Sequence, residues 1–251
     1  MPLVQTQVVD HVATITLAPP EGGYDHAFID AVGAAASEVA GDQDVRAVIV
    51  RSDGDLGAGW AASALDEPAG IPGVPHLASG IEALAGVPQP VICAIRGRAH
   101  SIALELALAC DVRVAEEGAT FALADTQVGT LPLGGGTQRL PRAVGRAQAL
   151  RLVLLGEEVD AAEALRIGLV SRVVLAEELD SAAQAIADAV AARGPIATRL
   201  AKEAVHRGVE MPLDQALRYE LDLTVLLQST ADRAEGVRAF AEKRPPRFIG
   251  R

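Results

Sequence analysis

The feature that most constrains the fold is an alternation of short apolar strands with helices along residues 1–195. Residues 12–17 (VATITL) alternate apolar and polar side chains, as a half-buried strand does. Residues 28–39 carry apolar side chains at helical spacing, and residues 46–51 (RAVIVR) then form a short apolar run typical of a buried strand. Strands that alternate with helices predict an α/β fold with parallel strands. The pattern leaves open whether the sheet is flat, doubly wound or spiral.

The same reasoning places the later elements of this region. It predicts strands over residues 90–95, 111–115, 119–123 and 169–174, and helices over residues 101–110, 146–155 and 161–167. Residues 66–77 contain several prolines and glycines, which predict an irregular loop.

The character of the chain changes after residue 195. Residues 196–243 are predicted to be almost entirely helical, with breaks at residues 207–208, at residues 211–212 and near Ser229. One helix carries an apolar stripe of Leu213, Leu217, Leu221 and Val225, and a second apolar face of Leu223, Leu226 and Leu227. A helix that is apolar on two sides is usually buried on both. This helix packs either on the core and another subunit or within its own domain. We therefore divide the chain into a core of residues 1–195 and a C-terminal helical region of residues 196–251.

Charge and cysteine usage narrow the function classes. The net charge is −11, which disfavours nucleic acid as a partner because its binding requires basic surfaces. Cys93 and Cys110 lie in apolar runs and are expected to be free buried thiols, with neither a disulfide framework nor a metal site. The most apolar stretch, residues 102–110, is too short to span a bilayer, and the N-terminus has no signal-peptide pattern. We expect a cytoplasmic protein without a membrane partner.

Two acidic residues stand out by their surroundings. Glu105 lies in an otherwise apolar helical segment, and an uncompensated buried carboxylate is costly, so such a residue is paired, protonated or functional. Its structural alternative is a bond to an arginine or to loop backbone. Asp125 follows a predicted strand, where an aspartate also serves as a turn residue or a helix N-cap. The residues alone leave both alternatives open.

Several segments, in order along nearly the whole chain, carry a resemblance to a known family. They are residues 97–111 (GRAHSIALELALACD), 121–140 (FALADTQVGTLPLGGGTQRL), 156–164 (GEEVDAAEA), 167–170 (IGLV) and 240–248 (FAEKRPPRF). Together they resemble the enoyl-CoA hydratase/isomerase, or crotonase-like, family. The ordered set is far more specific than any one of its motifs.

The resemblance implies a ββα spiral core with a C-terminal helical trimerisation region. It also implies hydration of an enoyl-CoA, the syn addition of water to the 2,3 double bond of an acyl-CoA thioester. In the family, two backbone N–H groups bind the thioester oxygen and stabilise the enolate-like oxyanion. Trp60 and Ile102 stand at the matching positions. Glu105 matches the carboxylate that activates water for attack on Cβ, and Asp125 matches the one that exchanges a proton with Cα.

The resemblance also bears on binding and assembly. Ala58 falls in the segment that faces the substrate, while Phe240 and Lys243 match positions that contact the adenine and phosphate of CoA, often from a neighbouring subunit. No cofactor and no metal are implied, because coenzyme A arrives as part of the substrate. The implied assembly is a homotrimer or a dimer of trimers.

Some positions depart from the family's pattern. Three glycines are replaced by residues 101–103 (SIA), a small residue by Trp60, and a glutamate by Asp125. An aspartate carboxylate reaches roughly 1.5 Å less far than that of a glutamate, about one C–C bond. These departures keep two alternatives open beside the hydratase. One is an isomerase or another lyase on the same scaffold, and the other is an acyl-CoA-binding protein without turnover.

Overall fold

The computed structural model describes residues 2–62, 64 and 78–251. The predicted loop over residues 66–77 lies outside these described residues. Within them, no helix is both long enough and apolar enough to cross a membrane.

Two sheets form the strand framework. The larger has the order β1-β2-β3-β4-β6-β9, and the smaller has the order β5-β7-β8. The strands are β1 (Val4–Val9), β2 (Val12–Leu17), β3 (Ala47–Ser52), β4 (Val91–Ile95), β5 (Arg98–His100), β6 (Val112–Glu116), β7 (Thr120–Ala122), β8 (Val159–Asp160) and β9 (Arg172–Val174). From β2 to β9 the larger sheet is parallel, as the alternation predicted. β1 and β8 are exceptions, because each pairs antiparallel with its neighbour.

The helices of the described residues lie against these sheets or form the C-terminal end. They are α1 (His26–Gly41), α2 (Ser79–Ala85), α3 (Ile102–Ala109), α4 (Gly136–Val144), α5 (Arg146–Leu155), α6 (Ala161–Arg166), α7 (Leu179–Ala191), α8 (Pro195–Gly208), α9 (Leu213–Gln228) and α10 (Ala231–Glu242). The chain passes from β4 to β5 and then α3, and from β6 to β7 and then α4. Each ββα repeat therefore adds one strand to the larger sheet, one strand to the smaller sheet and one helix. Successive repeats of this kind form the ββα spiral.

The central strands of the larger sheet are buried on both faces, and their alternate side chains belong to different cores. Ile15, Val48 and Cys93 pack in the cluster that contains α1, α2 and α3. Ala47 and Ala94 pack in a second cluster, against α7. Successive side chains of a strand point to opposite faces, so both faces of a central strand must be apolar. This is why β4 reads as an unbroken apolar run.

One predicted boundary was wrong. The strand expected over residues 169–174 begins only at Arg172. Gly168 has a φ of 80°, and the N–H of Leu169 donates to the carbonyl oxygen of Ala164 at 2.8 Å. The apolar residues 169–170 thus close the end of α6, and they are buried there rather than in a strand.

The C-terminal helices break close to the predicted positions. α8 ends at Gly208, α9 begins at Leu213 after Pro212, and Ser229 caps the end of α9. In the single chain Leu223 of α9 is buried, whereas the stripe of Leu213, Leu217, Leu221 and Val225 is exposed. Of the two packing alternatives, burial of this stripe within its own domain is therefore excluded for the isolated chain.

We expect Gly80→Ala to destabilise the core that carries α3. A Cβ at Gly80 would lie 2.0 Å from the carbonyl oxygen of Ile29, so α2 and α1 would have to move apart. Overpacking of this kind costs about 1–3 kcal/mol or more. Urea unfolding measures the loss. Gly41→Ala is the matched control, since a Cβ at Gly41 in α1 meets no atom within 4 Å. Equal stability of the two variants would contradict the prediction.

Candidate active site

Adjacent strands of the smaller sheet bring the acidic candidates to one edge. β5 and β7 are parallel, with His100 opposite Ala122. Ser101 and α3 follow β5, and Asp125 opens a short 3-10 turn three residues after β7. The carboxyl ends of neighbouring parallel strands lie at the same edge of a sheet. Glu105 lies in the first turn of α3, close enough to Asp125 for the charge of Asp125 to act on it.

Glu105 is fully buried and is held by backbone. The N–H of Gly136 donates to its Oε1 at 2.6 Å. Its Oε2 has no hydrogen-bond partner among the described residues. Burial, and to a smaller extent the nearby Asp125 charge, raises the pKa of Glu105 to about 7, although the N–H groups of Gly136, Gly134 and Leu133 act to lower it. A carboxyl group with a pKa near 7 exchanges a proton readily at neutral pH.

Two glycines leave the space that Glu105 occupies. A Cβ at Gly136 would lie 3.0 Å from Oε1 of Glu105, and one at Gly134 would lie 3.1 Å from its Cβ. Gly135, between them, has a φ of 94° at the start of α4. The glycine triplet thus turns the chain sharply and places the N–H groups of Gly134 and Gly136 beside the Glu105 carboxylate.

Asp125 is nearly buried, with 4% of its surface exposed. Burial raises its pKa, and hydrogen bonds from the Ser101 side chain and from its own backbone N–H lower it in part. Its Oδ2 has no hydrogen-bond partner among the described residues. Asp125 is the first residue of its 3-10 turn, and Ala124 precedes it as the N-cap residue, so the N-cap alternative for Asp125 is excluded. Within the described part of the chain, each of the two carboxyl groups therefore keeps one buried oxygen without a partner.

The segment of Trp60 is fastened beside α3. The backbone N–H of Gly57 donates to the carbonyl oxygen of Arg98, and the N–H of His100 donates to the carbonyl oxygen of Gly57. These two bonds join residue 57 to β5. A Cβ at Gly59 would lie 3.6 Å from the Cβ of Ser101, so Gly59 packs against the Ser101 side chain. The segment around Trp60 and the start of α3 at Ile102 are thereby neighbours.

Both proposed oxyanion donors are placed to serve a ligand. Ile102 is the first residue of α3, where N–H groups have no acceptor within the helix. Among the described residues no backbone carbonyl oxygen accepts a hydrogen bond from the N–H of Trp60. Tyr24 nevertheless forms backbone hydrogen bonds with both neighbours of Trp60 in the chain, Gly59 and Ala61. The indole N–H of Trp60 is also buried without a partner in the described part of the chain. The side chain of Ile102 is buried in the core, so its bulk is directed away from the backbone donor.

The remaining predicted contacts lie apart from this cluster. Ala58 is exposed in the segment that precedes Trp60. Phe240, in α10, is 87% exposed and borders a separate cavity of about 340 Å³ that Phe248 also lines. Lys243 caps the end of α10 with a φ of 55°. No described contact joins Phe240 or Lys243 to the two carboxylates.

Sequence reasoning missed one residue of the site. The N–H of Gly136 is the hydrogen-bond donor that anchors Glu105. The glycine triplet was a usable signal for it, because a tight turn before a helix exposes free N–H groups. Within the described residues, no group of three His, Cys, Asp or Glu side chains could hold a metal ion.

The buried Glu105 predicts a pH-dependent stability gain for Glu105→Gln. The pKa of Glu105 is about 7 in the folded chain against an ordinary value of 4.5. Between those pH values the unfolded chain loses the proton first, so the wild-type protein loses stability on the order of 3 kcal/mol as pH rises. Glutamine cannot ionise, and its amide oxygen still accepts from Gly136. Urea unfolding of both proteins should therefore show a stability difference that grows from pH 4.5 to 7 and then levels. A difference independent of pH would contradict the raised pKa.

Comparison with known proteins connects this geometry to a family. The profile described as enoyl-CoA hydratase/isomerase matches residues 8–251. The chain is 39% identical over 246 residues to a probable enoyl-CoA hydratase, echA8, of Mycobacterium bovis, covering 96% of this chain and 95% of the relative. It is 35% identical over 253 residues to the (E)-benzylidenesuccinyl-CoA hydratase of Thauera aromatica, covering 98% and 99%. The solved structure of an enoyl-CoA hydratase from Bacillus anthracis superposes with a TM-score of 0.94 at 34% identity, covering 100% of each chain.

Proposed function

This chain belongs to the enoyl-CoA hydratase/isomerase family, and we propose that Glu105 and Asp125 perform its reaction, the syn addition of water to an enoyl-CoA. One observation carries the assignment. Two buried carboxyl groups lie close enough to interact electrostatically, and each has one oxygen without a partner among the described residues. Buried polar atoms are nearly always hydrogen-bonded, so this pair is suited to hold a water molecule and a substrate.

The geometry supports a stepwise assignment of roles. Glu105, anchored through Oε1, takes a proton from water with its free Oε2 as the water oxygen bonds to Cβ. The electron pair of the double bond moves toward the thioester oxygen, which accepts from the N–H groups of Trp60 and Ile102. Asp125 then delivers its proton to Cα. The net change is water added to the substrate and one proton moved from Asp125 to Glu105.

The pKa values fit a pair that shares one proton. Two carboxyl groups that interact titrate as a unit, so only the singly protonated pair can supply one base and one acid. Burial raises the pKa of both groups, and Glu105 reaches about 7. The pair therefore keeps a proton at a pH where ordinary carboxyl groups have lost theirs. No other cofactor is required, since the thioester supplies the acidity at Cα and coenzyme A is part of the substrate.

The proposal extends to substrate contacts and assembly. Ala58 borders the thioester, while Phe240 and Lys243 bind the adenine and phosphate of CoA, with residues 196–251 as the oligomerisation region. The exposed apolar stripe of α9 supports this, because a surface of four adjacent aliphatic side chains is normally covered. We propose a homotrimer or a dimer of trimers, for which light scattering should give three or six times 25.9 kDa.

The two free cysteines support a reducing, cytoplasmic location.

The activity is tested with purified protein and a short and a long 2-enoyl-CoA. Loss of the conjugated-thioester absorbance together with formation of 3-hydroxyacyl-CoA is the expected result. Formation of the 3-enoyl isomer without water addition would replace the hydratase by an isomerase. Tight binding without any change in absorbance would indicate an acyl-CoA-binding protein instead.

A further inference from the structure

We propose that Tyr24 is a positioning residue that directs the backbone N–H of Trp60 toward the thioester oxygen. The inference rests on the proposed role of Trp60 as an oxyanion donor and adds a residue that acts through it. Three observations support it: the backbone pairing of Tyr24 with the segment of Trp60, the hydrogen bond of its hydroxyl group, and the packing of its ring.

Tyr24 pairs with the segment of Trp60 as a neighbouring parallel strand would. The N–H of Tyr24 donates to the carbonyl oxygen of Gly59 at 2.9 Å, and the N–H of Ala61 donates to the carbonyl oxygen of Tyr24 at 2.8 Å. In a parallel pairing, only alternate residues of a strand bond to a given neighbour. The N–H of Trp60, which lies between the two bonded residues, therefore points away from Tyr24.

The side of the segment opposite Tyr24 is the side of the site. Gly57 bonds there to β5, through the carbonyl oxygen of Arg98 and the N–H of His100. Gly59 packs against Ser101, the residue before α3. The N–H of Trp60 is thus directed toward the start of α3, where the other proposed donor, Ile102, lies.

The hydroxyl group of Tyr24 holds the same segment at a second point. It donates to the carbonyl oxygen of Leu56 at 2.6 Å in the buried interior. The N–H of Leu56 donates to the carbonyl oxygen of Arg96 at 3.0 Å, so Leu56 is held from both sides. A phenylalanine at position 24 would keep the ring and lose only the hydroxyl bond.

The ring of Tyr24 connects the segment to α1. A Cβ at Gly57 would lie 2.6 Å from Cε1 of Tyr24, so the ring lies directly on the backbone of Gly57. The ring also packs on Phe28 of α1, with the two centroids 4.3 Å apart, and Tyr24 is fully buried. Asp25 caps α1 immediately after Tyr24, because its side chain accepts from the N–H of Phe28 at 2.8 Å. A regular helix therefore fixes the position of Tyr24.

Gly23 provides the room for this close approach. Its φ is 103°, and a Cβ there would lie 2.8 Å from the carbonyl oxygen of Gly59 and from the nitrogen of Ala61. Only glycine fits such a position. Gly23 thus lets the two backbones meet, and Tyr24 supplies the bonds that hold them.

The main test replaces Tyr24 by Phe. We expect kcat with a 2-enoyl-CoA to fall by about 10-fold while KM changes little, because an oxyanion donor acts mainly in the transition state. The loss should be smaller than the about 10²–10³-fold for a donor removed outright, since the backbone bonds of Tyr24 remain. Tyr24→Leu, which also removes the ring from Gly57, should lose at least as much.

The absorbance of bound cinnamoyl-CoA provides a readout that a merely structural role would not move. Hydrogen bonds to the thioester oxygen polarise the conjugated system and shift its absorbance to longer wavelength. Both proteins carry Glu105→Gln, so that the probe is not hydrated during the measurement. Tyr24→Phe should reduce the shift. The position of the bound band does not depend on how much of the protein is folded.

Two variants control for the loss of a hydroxyl group and for a loss of stability. Tyr219→Phe alters the only other tyrosine, whose hydroxyl group donates to Glu203 in the C-terminal helices. Ile49→Val removes a methyl group from the second core cluster, whereas Tyr24 packs in the first. Both variants should keep the wild-type kcat and the wild-type shift of the bound probe.

The outcomes separate this inference from the proposed function. An unchanged probe shift in Tyr24→Phe, an unchanged kcat, or an equal loss of kcat in Ile49→Val would overturn the role of Tyr24 and leave the proposed function standing. If the probe binds without any shift while Tyr24 is intact, Trp60 and Ile102 are not oxyanion donors. That result would overturn the proposed mechanism, and this inference with it.

Discussion

Replacing Glu105 by Gln is expected to lower kcat for the hydration of 2-enoyl-CoA by a factor on the order of 10³. The amide oxygen can still accept from Gly136, as Oε1 of Glu105 does at 2.6 Å, so the side chain should keep its place. The amide cannot take a proton from water, however, and the base of the reaction is lost. The dissociation constant of the thioester should change little, because the oxyanion donors are backbone groups.

The measurement is steady-state hydration beside direct binding of the enoyl-CoA. Glu117→Gln is the matched control, since Glu117 is an exposed glutamate outside the site and should behave as wild type. A Glu105→Gln protein with kcat within about tenfold of wild type would show that Glu105 is a structural buried carboxyl group. That outcome would leave its raised pKa unexplained by function.

Replacing Asp125 by Asn is the second large prediction, with an expected loss in kcat on the order of 10²–10³-fold. Asparagine fills the same buried volume, so folding should be preserved. It cannot deliver a proton to Cα. Exchange of the Cα hydrogen of the product with deuterated solvent should therefore disappear together with hydration.

Two further variants define this result. Asp188→Asn alters an exposed aspartate of α7 and should leave kcat unchanged. Asp125→Glu retains a proton donor, so it should keep more activity than Asp125→Asn despite the extra methylene group. If deuterium still enters Cα in Asp125→Asn, another group transfers that proton and Asp125 is not the acid.

Most of the regular structure could be predicted from local patterns. α5 was predicted with its observed bounds, and the helix expected over residues 101–110 is α3, one residue shorter at each end. These elements are readable because burial repeats with the period of a helix or strand. The strands β1, β5 and β8 and the helices α2 and α7 were not predicted. Strands of two or three residues, such as β8 and β5, are too short to show a period.

The acidic pair was recognised for a reason that belongs to the sequence. Glu105 has apolar neighbours on every side along the chain, so its burial follows from the local pattern of residues alone. Asp125 was recognised through the ordered family segments, and its own position after a strand was also compatible with a helix cap.

The sequence by itself determined the α/β class, the family, the breaks of the C-terminal helices and the candidate carboxylates. Tertiary structure alone decided what gives those carboxylates their chemistry. Gly136 is 31 residues from Glu105, and its N–H reaches Oε1 only because the glycine turn packs against α3. Asp125 comes close enough to act on Glu105 only because β5 and β7 pair side by side. Side-chain periodicity reports burial along one element, whereas a hydrogen bond between distant residues depends on how whole elements pack.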